Sequence, residues 1–179
     1  MARLRQVSVR KRLARCRLEL HPDKTKIVYC KDDKRPHRYN NESFDFLGYT
    51  FRPRRVWSRY GSTFIGFNPA ISRKAEKAIR QKMREWRLRL WTRSTLTDIA
   101  KVLNPTIRGW ILYYGRFYRS ALEKVFYHLN LWLVRWAQWK YKKLRGRKRR
   151  ANSWLGRIAK RDPSIFAHWK EMGTMSATE

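Results

Sequence analysis

The stretch Asn104-Pro105-Thr106-Ile107-Arg108-Gly109-Trp110-Ile111-Leu112-Tyr113-Tyr114-Gly115 carries both ends and both faces of a helix in its residue types. Asn104 can cap orphan backbone N–H groups, Pro105 suits a first turn that needs no N–H, and Gly115 can take the left-handed conformation that closes a helix. Ile107, Trp110, Ile111 and Tyr114 fall at i, i+3, i+4 and i+7, so they share a face suited to burial. Arg108, Leu112 and Arg116 line another side. Gly109 costs about 1 kcal/mol against Ala inside a helix. Its presence predicts the close approach of something bulky, either a packed helix or a nucleic-acid backbone.

The neighbouring segments extend the helical reading in both directions. Thr95-Leu96-Thr97-Asp98 has a capping pattern that opens a short helix through Ile99, Val102 and Leu103, expected to stop before Pro105. Further upstream, Ser72 can cap a helix running to about Leu90, with Ala75, Ile79, Met83, Trp86 and Leu90 as its apolar stripe. Its other faces carry Arg73, Lys74, Lys77, Arg80, Lys82, Arg84, Arg87 and Arg89. Glu76 and Glu85 can pair with Arg80 and Arg89 for a few tenths of a kcal/mol each, which leaves most of the cations available to phosphates. Downstream, Ser120-Ala121-Leu122-Glu123 reads as a capping box for the longest helix, reaching about Leu144 with Val125, Leu129, Trp132, Trp136 and Trp139 as a core stripe. Lys140, Lys142, Lys143, Arg145, Arg147, Lys148, Arg149 and Arg150 then form the densest basic cluster, read as a solvated tail that meets phosphates without reading sequence. Trp154, Ile158, Phe166 and Trp169 predict a last small amphipathic element folding back, and residues 173–179 should fray.

Composition bounds the function. The 179 residues suffice for one domain or two small ones, and 42% hydrophobic content supports a core. With 44 Lys plus Arg against 13 Asp plus Glu, the net charge of +31 makes the compact state repel itself unless a polyanion neutralises it. Nucleic acid is the partner this implies. No segment approaches the roughly 18 uninterrupted apolar residues that span a bilayer. Residues 1–17 lack the apolar core and cleavage site of a secretory signal, so a cytoplasmic location is expected. Cys16 and Cys30 have no zinc spacing and are expected as buried or half-buried free thiols in a reducing compartment. His21, His37, His128 and His168 are scattered, and no metal site can be assembled from them.

The first third is different in kind. Val7 to Leu20 suggests a helix with a basic outer face, ended by His21-Pro22-Asp23, and Thr25 to Tyr29 has the β-branched character of a strand. Tyr29-Cys30-Lys31-Asp32-Asp33 looks like the Tyr-X-Asp-Asp pair that holds two magnesium ions for phosphoryl transfer, but it has one residue too many. Asp32 to Pro36 reads instead as a charged, solvated loop. Ser43 to Phe51 reads as an aromatic strand with Gly48 at a bulge, and Thr63 to Phe67 as a short strand returning beside it. Asn68-Pro69 should break the chain, which places a boundary between residues 1–67 and 68–179. The fold class expected is α+β: a short N-terminal helix and β-strands, followed by a mainly α-helical three-helix module with a basic C-terminal extension.

The residues Leu103-Asn104-Pro105, Arg108-Gly109-Trp110 and Tyr113-Tyr114 together resemble the signature of the maturase (X, or thumb) domain of group II intron reverse transcriptases. Two upstream segments lie in the order that family requires. The Leu-X-Leu-His-Pro-Asp-Lys-Thr-Lys-Ile run from Leu18 to Ile27 resembles the palm segment after the catalytic aspartates, and Phe46-Leu47-Gly48-Tyr49 resembles the primer grip. The resemblance implies that Lys24 lies near an incoming nucleotide and that Phe46, Leu47, Gly48 and Tyr49 support a primer end. It covers roughly Leu18 to Lys170, but only the C-terminal part of the family's architecture. The fingers, most of the palm with its aspartate hairpin, and the zinc-binding endonuclease module are not in it.

In that family the thumb and its basic surfaces bind the folded intron RNA and promote splicing. The resemblance therefore implies an RNA-binding maturase portion contacting structured intron RNA through Arg73, Lys74, Lys77, Arg80, Arg84, Arg108, Arg116, Lys140, Lys142, Lys143, Arg145 and Arg147. It implies no catalytic residue in this chain, no polymerase activity for it alone, and no cofactor, with magnesium entering only where a complete reverse transcriptase is assembled. Two other readings stay open: one subunit of a split reverse transcriptase whose fingers and palm come from another polypeptide, and a generic basic scaffold of a ribonucleoprotein.

Overall fold

A computed structural model describes residues 2–22, 25–34, 37 and 39–172 and has the expected α+β class, a small three-stranded antiparallel sheet with a helical C-terminal module. The chain forms two compact units, residues 1–46 with 51–68, and residues 47–50 with 69–179.

In the first unit, α1 spans Ala2–Arg15, with Arg12 and Arg15 in its last turn where the helix dipole favours cations. It stops short of Leu20 because Arg17 turns left-handed at φ 57. The N–H groups of Arg17 and Leu18 reach back to the carbonyls of Ala14 and Leu13, a Schellman closure with arginine where glycine is usual. The strand expected over Thr25 to Tyr29 is absent, and that segment has no regular structure. The Tyr29 N–H instead meets the Asn41 carbonyl at 2.8 Å, with its ring against Tyr39. Cys16 and Cys30 are free thiols, but exposed rather than buried, since one lies past the end of α1 and the other in irregular chain. Of the stretch expected as a loop from Asp32 to Pro36, residues 35 and 36 lie outside the described residues, and the Asp33 carboxylate accepts the Ile65 N–H at 2.8 Å.

The aromatic strand expected over Ser43 to Phe51 is in fact a hairpin, with β1 at Phe44–Phe46 and β2 at Tyr49–Trp57. Leu47 and Gly48 turn it with φ of 47 and 79, the mirror-type turn whose two positive dihedrals match the twist of the flanking strands. β3 spans Thr63–Ile71, in the order β1-β2-β3. Asn68-Pro69 therefore does not break the chain. Proline is tolerated because β3 is an edge strand, where a missing N–H need not cost a ladder bond.

The second unit is built on helices. α2 covers Arg73–Glu85, and the Ser72 hydroxyl caps it by accepting the Ala75 N–H at 3.1 Å. It ends before Leu90 because Arg87 turns left-handed and starts a 3₁₀ turn at Leu88–Leu90. That turn puts Leu88 in the core at 1% exposure and Leu90 outside at 65%. α3 runs unbroken over Leu96–Tyr114, so the two short helices expected here are one. Thr95 and Asp98 form the predicted capping box. Pro105 lies in the interior, where its missing N–H and ring cost about 3 kcal/mol. Leu96, Ile99, Ala100, Leu103, Ile107 and Ile111 are buried as one stripe through it, and a break would expose both halves. Gly115 does end the helix, but in right-handed conformation at φ −80, and a Cβ there would lie 2.5 Å from the Ile111 carbonyl oxygen.

α4, Ser120–Lys140, is the longest helix and the hub, packing against α2, both 3₁₀ turns and two further helices. Its N-cap position falls to Arg119, which offers no hydroxyl, so the Ser120 capping box does not form. Val125, Leu129 and Trp136 are buried as expected, Trp132 is half-buried and Trp139 is exposed. The helix ends at Lys140 rather than Leu144, with Tyr141 extended and a 3₁₀ turn at Lys142–Leu144. Helix, not a solvated tail, follows: α5 is Lys148–Arg161, held by Ala151, Leu155 and Ala159 at spacings of four, and α6 is Ala167–Met172. Residues 173–179 lie outside the described residues.

Candidate nucleic-acid interface

On α2, the buried Ala75, Ile79 and Met83 fix which face looks outward. Arg73, Lys74, Lys77 and Arg84 are exposed there. Arg80 is half-buried and paired with Glu76 one turn before it, so its charge is partly neutralised. Glu85 pairs with Lys82 at 3.1 Å rather than with Arg89, because the helix ends at Glu85 and the chain turns away.

On α3, Arg108 is exposed, as is Arg116 just past its end. Trp110 and Tyr114 are only half-buried, with Trp110 stacked on Trp86 at 5.6 Å between centroids. Nothing lies within 4 Å of the position a Cβ would take on Gly109. The packed helix that this glycine predicts is not there, and the space beside it is open.

The residues resembling a primer grip divide between the two units. Phe46 belongs to the first and is exposed. Leu47, Gly48 and Tyr49 belong to the helical unit. The Tyr113 hydroxyl donates to the Leu47 carbonyl at 2.9 Å, the Tyr49 hydroxyl donates to the Tyr113 carbonyl, and the Gly48 carbonyl accepts the Ser72 N–H at 2.8 Å. Gly48 is favoured as glycine by its positive φ, and a Cβ there would sit 3.1 Å from the Tyr114 hydroxyl oxygen, so that ring would have to give by a few tenths of an ångström. Tyr49, Tyr113, Tyr114 and Phe117 make one ring cluster. Burial, then neighbouring tyrosines, raises the Tyr49 and Tyr114 hydroxyls above their ordinary pKa, so both stay neutral. Lys24 lies outside the described residues.

The densest cations surround the join of α4 and α5. Lys140 differs from the rest: its ammonium donates to the carbonyls of Thr92 at 2.9 Å and Ser94 at 2.7 Å, and lies over the Trp136 and Tyr141 rings. Lys142, Lys143, Arg145 and Arg147 are exposed. α5 then starts with Lys148, Arg149 and Arg150, without an acidic residue in its first turn. Those side chains sit at the positive end of the helix dipole, which adds to their field. Lys143, Leu144, Arg149, Arg150, Ser153 and Arg157 line an open cleft of about 410 Å³. Ser153 and Arg157 lie beyond the basic run that stands out in the sequence. Their signal is the spacing of Arg149, Ser153 and Arg157 at i, i+4 and i+8 on one helical face.

Chemically, the cleft's side chains other than Leu144 are donors and cations matched to phosphate oxygens, with guanidinium forks able to bind two oxygens at once. No carboxylate interrupts the chain between Glu123 and Asp162. Among the described residues, no group of three or more His, Cys, Asp or Glu side chains could hold a metal ion, and no helix is long and apolar enough to cross a membrane.

Residues 76–154 match the family model of the group II intron, maturase-specific domain. That span takes in most of α2, all of α3 and α4, and the first half of α5. Comparison with curated proteins and with solved structures gives no match.

Proposed function

We propose that this chain, whose residues 76–154 belong to the group II intron maturase-specific domain family, binds folded group II intron RNA through the cationic surface of its helical unit and promotes splicing by holding that RNA in its reactive shape. The family match supports the maturase role. The observation that carries the RNA contact is the α4–α5 join: exposed Lys142, Lys143, Arg145 and Arg147, then the cleft of Lys143, Arg149, Arg150, Ser153 and Arg157, with no carboxylate nearby in sequence. Cations that neutralise phosphates release condensed counterions, which gives affinity that falls with salt. Preference for one RNA then comes from shape, since Arg149, Arg150 and Arg157 are spaced along α5 and Lys142 and Lys143 along the 3₁₀ turn that precedes it, a pattern that only a matching backbone path can meet. In this reading bond breaking and joining belong to the RNA, and the protein supplies only donors and a template.

The test replaces Lys142, Lys143, Arg145 and Arg147 together by Gln and measures binding to structured intron RNA over a salt series. The slope of log K against log salt should flatten by about 0.7 to 0.9 for each phosphate that is no longer neutralised, and spliced product should fall with it. An unchanged slope removes the cluster from the interface. Equal wild-type affinity for unrelated folded RNAs of the same length would favour a non-selective scaffold instead.

A further inference from the structure

We infer that the tip of the β2–β3 hairpin is a stacking platform for unpaired nucleotides, a second nucleic-acid contact separate from the α4–α5 cleft. The inference takes only the class of partner from the function proposed above.

The tip carries apolar surface that folding does not use. Trp57 ends β2 at 74% exposure and Tyr60 sits in the turn at 85%. Phe64, at the start of β3, is also exposed. The turn closes without these rings: Ser58 and Ser62 pair through Ser58 N–H to the Ser62 carbonyl at 2.7 Å, and the Ser58 hydroxyl accepts the Tyr60 N–H at 3.0 Å. Gly61 completes the turn with φ of 80. A polar residue would serve equally well at Trp57 or Tyr60 if closing the loop were their whole task. The backbone is thus fixed while two large aromatic faces are held in water.

The charge around the rings selects the occupant. Arg52, Arg55 and Arg59 are exposed on the same hairpin, and the Arg59 guanidinium lies 5.4 Å from the Tyr60 ring centroid. No carboxylate occurs between Asp45 and Glu76 in the sequence, and the Asp33 carboxylate that reaches β3 is taken up by the Ile65 N–H at 2.8 Å, so arginines outnumber carboxylates on the hairpin. Aromatic faces among an excess of arginines fit a strand whose bases are free to stack while its phosphates meet the cations. A fully paired duplex keeps its base faces inside and offers the rings nothing. The platform therefore suits single-stranded loops or ends of the RNA.

The experiment uses the full chain and two fluorescent probes of equal charge, a single-stranded RNA oligonucleotide of mixed sequence and a fully paired RNA duplex. Trp57→Ala and Tyr60→Ala should each weaken single-strand binding roughly five- to a hundred-fold. The salt slope should hold, since every cation keeps its phosphate, and duplex binding should be unaffected. Trp57→Phe with Tyr60→Phe should restore most of the affinity, and an unchanged circular-dichroism melt confirms that the variants fold. Equal weakening on both probes, no weakening, or comparable ring-dependent binding of polyglutamate would overturn the inference. Those outcomes leave the Lys142 to Arg147 salt-slope test untouched, so the platform can fail while the maturase reading stands.

Discussion

His168 offers the sharpest test of the packing. It is 2% exposed, between the rings of Phe126 and Phe166. The Asn130 side-chain oxygen can only accept, and it takes the Trp169 indole N–H and the His168 Nε2–H, both at 2.9 Å. The ring is therefore the neutral tautomer protonated at Nε2, and Nδ1 has no partner among the described residues. A second proton would put a buried cation there with nothing to receive its N–H. Burial accordingly pushes the His168 pKa down from 6.5 to about 3. The unfolded chain binds this proton near pH 6.5 and the native state does not. Stability from this site is therefore complete above pH 6.5 and is lost as pH falls toward 3. Between pH 7 and pH 5 the loss is about 2 kcal/mol, at 1.36 kcal/mol per unit below the unfolded pKa. His128, whose pKa is lowered by burial and then by Arg80, acts in the same direction. The measurement is therefore a difference: urea unfolding of wild type and His168→Phe at both pH values. The variant should lose about 2 kcal/mol less on acidification. Equal losses in the two proteins would refute the buried neutral imidazole.

Two other elements, α3 and α4, are open to substitution tests. Gly109→Ala should stabilise the chain by about 0.5 to 1 kcal/mol in thermal or urea unfolding, because the Cβ enters open space and the helix gains propensity; weaker intron binding by this stabilised variant would place an RNA backbone beside Gly109. Trp136→Ala should cost about 3 to 5 kcal/mol, since the ring is fully buried and its N–H holds the Trp91 carbonyl at 2.9 Å. Trp110→Ala should cost only about 1 to 2 kcal/mol, because that ring is half-buried on Trp86.

What the sequence discloses and what it hides divide along a physical line. Periodic apolar stripes and hydroxyl caps are local, so Ser72, Thr95, Ala75, Ile79 and Met83 take the places their spacing predicts. The misreadings come from punctuation. Pro105 reads as a helix start, yet Ile99, Leu103, Ile107 and Ile111 keep a spacing of four straight across it, and that continuity is visible in the sequence. Burial of the whole stripe outweighs the local cost of proline. The turns at Arg17, Leu47 and Arg87 have no such signal. Each puts a residue with a side chain into left-handed backbone where propensity favours glycine; at Arg87 the half-buried Trp86 and buried Leu88 on either side fix the chain's path, while at Arg17 the flanking residues are exposed. The cations of the candidate site are legible as a cluster, but not their division into Lys140, whose ammonium is tied to two carbonyls, and the freely exposed Lys142 to Arg147.

The two asparagines of the helical core have a consequence for how this chain comes off the ribosome. Asn104 donates to the Ile165 carbonyl and accepts the Ala167 N–H, and Asn130 waits for His168 and Trp169. Among the described residues, both amides, placed mid-sequence, meet a short segment that lies about 40 to 60 residues later. Until that segment is made, water is the partner open to both amides. A chain cut short before Ile165 should therefore leave both amides to water and open the seam that α6 covers on α3 and α4.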